Sequence, residues 1–178
     1  MKPSVLIVPG WTNSSPGHWQ SIWQIANPSW IRVEQSNWDY PQPEDWLTTL
    51  DRYICACDSP PVLVGHSLGC ITIVKWAIAN SVNVAGAFLV APADIEAVNA
   101  PIEIKGFAPI PPEKIRFPTH IVASDNDEFL SSQRALEFAE NWGSNLTIIP
   151  NAGHIYTASG YGEWLEGRML LRKFMTSL

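Results

Sequence analysis

The stretch Val62-Leu-Val-Gly-His-Ser-Leu-Gly-Cys70 constrains this chain more than any other. An apolar run, 61–64, leads into it and reads as a buried parallel strand. An apolar, proline-free run, 68–80, follows and reads as a buried helix. Between them lies Gly65-x-Ser67-x-Gly69. This is the nucleophile-elbow pattern, in which a serine sits on a sharp strand-to-helix turn. The glycines have a steric reason. The turn forces strand and helix together, and a Cβ at either position would clash or strain the backbone. Ser67 is therefore a candidate nucleophile; the bland alternative is a glycine-rich turn with an idle serine.

The remaining chain supplies more of the same architecture. Apolar runs at 4–8, 84–90, 119–123 and 146–149 read as strands, with a shorter one at 30–34. Helical spacing places Trp19, Ile22, Trp23 and Ala26 on one face of 18–26. It does the same for Trp46, Leu47, Leu50, Tyr53 and Ile54 in 44–57, and for Ala135, Phe138, Ala139 and Trp142 in 131–142. Gly143 stops that third helix, and 163–175 forms a last one. Six strands alternating with about five helices predict βαβ units. The expected fold class is α/β, a three-layer αβα sandwich around a mostly parallel six-stranded sheet. Residues 91–118 carry six prolines and little periodicity, where a further helix would be expected. Connections of that length tend to be functional or to pack over something. No repeat, linker or composition shift divides the chain, so 1–178 reads as one domain without a cap.

Composition narrows the functional classes. Hydrophobic residues are 46% and charged residues 16%, enough for a core and unlike a disordered chain. Net charge is -6 and the 11 Lys and Arg are scattered, which argues against nucleic acid as a partner. No apolar run approaches the ~20 residues of a membrane span. Residues 5–8 are too short for a signal peptide and are closed by Pro9-Gly10, so a cytoplasmic location is expected. Cys55, Cys57 and Cys70 are odd in number, with the first two on one expected helix, and read as reduced thiols.

A serine hydroxyl needs a base, a group to orient that base, and donors for the developing oxyanion. In open parallel sheets such groups collect beyond the carboxyl ends of the strands. His154 follows the last strand in a loop, next to Gly153, and is the best candidate base. His66 sits inside the elbow, where the turn should aim it away from Ser67. His120 lies within a strand. His18 opens the first helix and could line a pocket. Three carboxylates follow strands and could orient the base: Asp127, Asp125 and Asp94. The order Ser, Asp, His is that of an α/β-hydrolase. The Leu68 N–H, at the start of the elbow helix, is one candidate oxyanion donor. The second should come from Trp11, or from Thr12, with Gly10 allowing close approach. There is no His-x-x-x-His pair, no Cys cluster and no phosphate-loop Lys, so no metal or cofactor is expected.

Several strings resemble a known family. They are Pro9-Gly10 with His18-Trp-Gln20 and Trp23; Arg32-Val-Glu-Gln35 with Trp38-Asp39 and Pro41; and Asp45-Trp46. Further along come Gly65-His-Ser-Leu-Gly-Cys70, Ala85-Gly-Ala87 with Leu89-Val-Ala-Pro-Ala-Asp94, and Gly106-Phe107 with Pro109 and Pro111. The last are Val122-Ala-Ser124 with Asn126-Asp127, and Gly153-His-Ile155 with Ser159-Gly-Tyr-Gly162. The chain is similar in these strings to the small serine hydrolases related to retinoblastoma-binding protein 9, especially their bacterial members. The resemblance implies a compact α/β-hydrolase and a Ser67–Asp127–His154 triad. It favours Asp127 over the other two carboxylates. One departure is Glu128, where the family often has proline. Ile71-Thr72 follow Cys70, so the chain lacks the glutamate of a Leu-x-Cys-x-Glu pocket ligand.

The expected activity is hydrolysis of a carboxylic ester or related acyl bond through an acyl-enzyme on Ser67. The expected partner is a small-molecule acyl substrate, and the expected state is a monomer or weak homo-oligomer. Activity should climb as pH rises through about 6.5, the ordinary value of a free imidazole. A non-catalytic protein-interaction module on the same fold is the rival from another class, and acyl transfer is a chemical neighbour. The 9 Trp read mainly as core. The alternative is that Trp11 and one or two others wall an acyl pocket, which 92–118 could partly cover.

Overall fold

The computed structural model describes residues 4–178. Six strands form one sheet: β1 (Val5–Val8), β2 (Ile31–Arg32), β3 (Val62–His66), β4 (Gly86–Val90), β5 (Thr119–Ser124) and β6 (Asn145–Ile149). Five helices connect them: α1 (Trp19–Ala26), α2 (Pro43–Cys55), α3 (Leu68–Ala79), α4 (Ser132–Trp142) and α5 (Leu165–Thr176). The strand order is β2-β1-β3-β4-β5-β6 and every pairing is parallel. Side-chain alternation along the strands builds two cores. Val5, Val62, Val64, Phe88, Val90 and Val122 face one side, with Trp19 and Trp23 of α1 and Leu171 and Phe174 of α5. Leu6, Val8, Leu63, Leu89 and Ile121 face the other, with residues of α2, α3 and α4. This is the expected three-layer αβα sandwich. The connections hold no helix beyond these five and two short 3₁₀ turns, so there is no cap domain among the described residues.

Boundaries moved where neighbours decide pairing. The elbow strand runs past 64 to His66, because β4 supplies Val90 as its partner there. The strand expected at 30–34 narrows to Ile31–Arg32 at the sheet edge, although the Val33 N–H still reaches the Ile7 carbonyl at 2.9 Å. The second helix ends at Cys55, so Cys57 lies beyond it rather than on it. The last helix starts at Leu165, because Trp164 takes a left-handed conformation at φ 41°. The connection 91–118 contains only a 3₁₀ turn, Lys105–Phe107. It replaces a helix with buried anchors, Ile104, Phe107, Ile110 and Ile115, in the α2–α3–α4 core. Hydrogen bonds fix it to neighbouring helices, among them Lys75 Nζ to the Pro109 carbonyl at 2.9 Å, Trp142 Nε1 to the Pro111 carbonyl at 2.8 Å, and Ile115 N–H to the Trp142 carbonyl at 3.1 Å. No helix among the described residues is long and apolar enough to cross a membrane.

Candidate active site

The chain reverses direction of growth between β1 and β3, the place where open parallel sheets leave a crevice. Ser67 stands there, directly after β3. Its backbone adopts φ 53° and ψ −123°, a region that residues with a Cβ avoid. The conformation is held by its N–H, which donates to the Val90 carbonyl at 3.0 Å, and by its carbonyl, which accepts from Cys70 N–H at 3.0 Å. The steric account of the glycines holds. A Cβ on Gly69 would fall 2.6 Å from the Pro9 carbonyl oxygen, and one on Gly65 would fall 3.2 Å from the Cys70 backbone. Gly10 brings the loop after β1 onto the elbow: a Cβ there would lie 2.9 Å from Ser67 Cβ and 3.1 Å from Leu68 N.

His154 Nε2 lies 2.9 Å from Ser67 Oγ, and its Nδ1 lies 2.9 Å from both oxygens of Asp127. A carboxylate only accepts, so Nδ1 carries the proton and Nε2 is left as the acceptor facing the serine. The Asp127 side chain is fully buried and that of His154 is 5% exposed. The two other carboxylates are engaged elsewhere. Asp125 Oδ1 accepts from Asn151 N–H at 2.7 Å, and Asp94 pairs with Arg134 at 3.3 Å.

The loops bearing Asp127 and His154 are laced together residue by residue. Asn151 N–H donates to Asp125, Ala152 N–H to Ser124 Oγ at 2.9 Å, and Gly153 N–H to Asn126 Oδ1 at 2.7 Å. His154 then meets Asp127. Ser124 Oγ in turn donates to Asn126 Oδ1 at 2.8 Å. Ser124 and Asn126 stand in one of the resembling strings, but sequence reasoning assigned them no task. The available signal was a run of four short acceptor side chains after a strand. Glu128, the departure from the resembled family, accepts from the Tyr156 hydroxyl at 3.1 Å and adds a further tie between the same loops.

Oxyanion donors are the remaining requirement. Leu68 N–H is at the first position of α3, where no intrahelical carbonyl is available. Thr12 is the weaker alternative, because its N–H already donates to the Trp38 carbonyl at 3.0 Å. Trp11 N–H donates to no group among the described residues. The Trp11 indole donates to the Asp39 carbonyl at 2.9 Å. Gln20 and Arg32 brace this loop from behind. Gln20 Nε2 reaches the carbonyls of Val8 and Val64, and Arg32 reaches Asn13, Ser14 and Ser21. The sequence alone assigned neither residue this part.

The other histidines fall as expected, with one refinement. His120 lies in β5 against Phe88 and Phe174. His66 points away from Ser67 and donates from Nε2 to the His154 carbonyl at 3.0 Å. His18 caps α1, its Nδ1 accepting from Gln20 N–H at 3.1 Å, and is buried rather than open to a pocket. Burial, helped by Arg32 and His154, pushes its pKa down to about 3. Trp19, Trp23, Trp46, Trp76 and Trp142 are fully buried and serve the core, while Trp11 and Trp38 are half-buried. A groove lined by Asn27, Trp30 and α5 includes none of the site residues.

The serine hydrolase family model matches residues 5–173. The chain belongs to the serine hydrolase family. It is similar over 98% of its length to a protein from Pectobacterium atrosepticum described as a YdeN-like hydrolase, with 31% identity, 91% of that chain covered and a TM-score of 0.88. The ydeN gene product of Bacillus subtilis shares the fold at 20% identity, with 98% and 99% of the two chains covered and a TM-score of 0.81. So does Est1E from Butyrivibrio proteoclasticus, solved with ferulic acid, at 16% identity, 98% and 87% coverage and a TM-score of 0.71. None of the curated proteins is significantly similar. This serine hydrolase therefore has the α/β-hydrolase fold, and its chemistry is hydrolysis.

Proposed function

We propose that this hydrolase cleaves a carboxylic ester or related acyl bond by nucleophilic catalysis at Ser67. The observation that carries the reading is the hydrogen-bonded line Ser67 Oγ, His154, Asp127, with both steps at 2.9 Å. Ser67 Oγ attacks the acyl carbon while His154 Nε2 takes its proton. The carbonyl oxygen becomes an oxyanion held by Leu68 N–H and Trp11 N–H. His154 then protonates the leaving alkoxide, and the acyl group stays on Ser67. Water, deprotonated by His154, attacks that ester; the acyl–Oγ bond breaks, His154 returns the proton to Ser67 Oγ, and the acid is released. Asp127 holds the Nδ1–H tautomer and stabilises the imidazolium. All five groups come from one chain, so a monomer suffices.

A fluorophosphonate probe is expected to label Ser67 covalently and stoichiometrically. Ser67→Ala is expected to lose labelling and to lower kcat on p-nitrophenyl esters at least about a thousandfold. A folded Ser67→Ala protein with full esterase activity would sink the proposal. Activity should also fall as pH drops, since a protonated His154 cannot accept the serine proton.

A further inference from the structure

The loop that carries His154 is held in an unusual shape. Asn151, Gly153 and Ile155 have φ of 54°, 55° and 49°. Asparagine and glycine tolerate that region, but a β-branched residue such as Ile155 is an outlier there. Such a conformation persists only where its surroundings over-determine it. Ser124, Asp125 and Asn126 grip the backbone before His154, as described above. On the other side, two buried rings grip the backbone at and after it. His66 Nε2–H donates to the His154 carbonyl at 3.0 Å, and Trp19 Nε1–H donates to the Ile155 carbonyl at 2.9 Å.

Both rings are themselves fixed. His18 stands edge-on to His66 with centroids 4.7 Å apart, and Trp19 meets His66 at 5.9 Å. Trp19 packs against Trp23 at 4.5 Å and Trp164 at 5.3 Å, and Trp23 stacks on Trp164 at 5.6 Å. Trp23 Nε1–H is tied to the Glu163 carbonyl at 2.9 Å. A carbonyl oxygen can only accept, so the proton of His66 is on Nε2. Burial, with His18 and His154 adding to it, pushes His66 well below its ordinary pKa and keeps that neutral tautomer. His66 immediately precedes Ser67. One residue thus ties the end of β3, which places the nucleophile, to the backbone that places the base.

We propose that His66 and Trp19 are positioning residues for His154: their ring N–H groups grip the carbonyls of two successive residues and set the distance from the imidazole to Ser67. The aromatic cluster of Trp19, Trp23 and Trp164 then serves the base loop rather than an acyl pocket. This rests on the reading of Ser67 and His154 given above. Misplacing a reacting group by about 1 Å costs about a hundredfold in rate.

The test compares His66→Leu, His66→Gln and Trp19→Phe with the parent. The substrate is the best-cleaved p-nitrophenyl ester of a graded-length series, with active sites counted by fluorophosphonate titration. His66→Leu and Trp19→Phe are expected to lower kcat per titrated site about 10- to 100-fold, with KM within about twofold. His66→Gln, whose amide N–H can reach the same carbonyl, is expected to recover most of the loss. Parental kcat in a folded His66→Leu protein overturns the proposal, as does His66→Gln being as impaired as His66→Leu. If His66→Leu does not fold, Trp19→Phe decides, with unchanged kcat counting against. Failure of the parent itself to be labelled at Ser67 overturns the underlying reading instead, so the two failures are distinct.

Discussion

Asp127 and Asp125 are two residues apart and chemically identical, yet the fold gives them different tasks. The Asp127 carboxylate is sealed and faces His154 Nδ1, whereas Asp125 is exposed and holds the Asn151 N–H. Asp127→Asn keeps the volume but cannot enforce the Nδ1–H tautomer. It is expected to lower kcat about 10³- to 10⁴-fold. Asp125→Asn keeps an acceptor oxygen for Asn151 and is expected to stay within about tenfold. Steady-state kinetics on one ester separates them, and equal losses would overturn the assignment. The residue scale also explains why position in the sequence left these carboxylates open. All three follow strands, and only side-chain direction distinguishes them.

At the scale of elements, the candidate site is where four strand-to-helix connections meet, those after β1, β3, β5 and β6. The loop after β1 lies on the elbow because Gly10 and Gly69 lack side chains. Gly10→Ala would place a Cβ 2.9 Å from both Ser67 Cβ and the His66 carbonyl oxygen, so the loop must move. The Trp11 N–H moves with it. The expected result is a loss of about 10²- to 10³-fold in kcat, as for removal of one oxyanion donor, with a smaller change in KM. Fluorophosphonate labelling should slow but persist, because Ser67 and His154 remain. An unchanged kcat would exclude the Trp11 amide as a donor. The connection 91–118 shows the opposite case. Its prolines forbid a regular helix, and its apolar residues still reach the core, so packing is met without periodicity.

Across the whole molecule, the burial of histidines sets a pH dependence of stability. His18 titrates near 3 in the folded protein against 6.5 for a free imidazole, and His66 is lowered in the same direction, chiefly by burial. Between those values the unfolded chain binds protons that the native protein refuses. Stability is therefore undiminished above about pH 6.5 and is lost progressively as pH falls toward about 3. His18 contributes on the order of 1.4 kcal/mol per pH unit in that window, and His66 acts in the same direction. The urea midpoint is expected to be lower at pH 5 than at pH 7.5, and His18→Gln should flatten the difference. Equal midpoints at the two pH values would contradict it.

The fold class was legible because it depends on patterns short enough to read along the chain. Apolar runs of strand length alternate with amphipathic helices, and the glycines flank Ser67 for a reason of local sterics. The positions of Ser67 and His154 were legible too, each standing beyond the end of its own strand. The packed structure was needed for whatever depends on direction. It shows which carboxylate faces His154, which of two adjacent amides has no acceptor among the described residues, and that the His66 ring reaches the His154 carbonyl. The two contacts of His154 among them join residues 27 and 88 positions apart. A local pattern records that a side chain is polar; only the path of the distant chain determines what it meets.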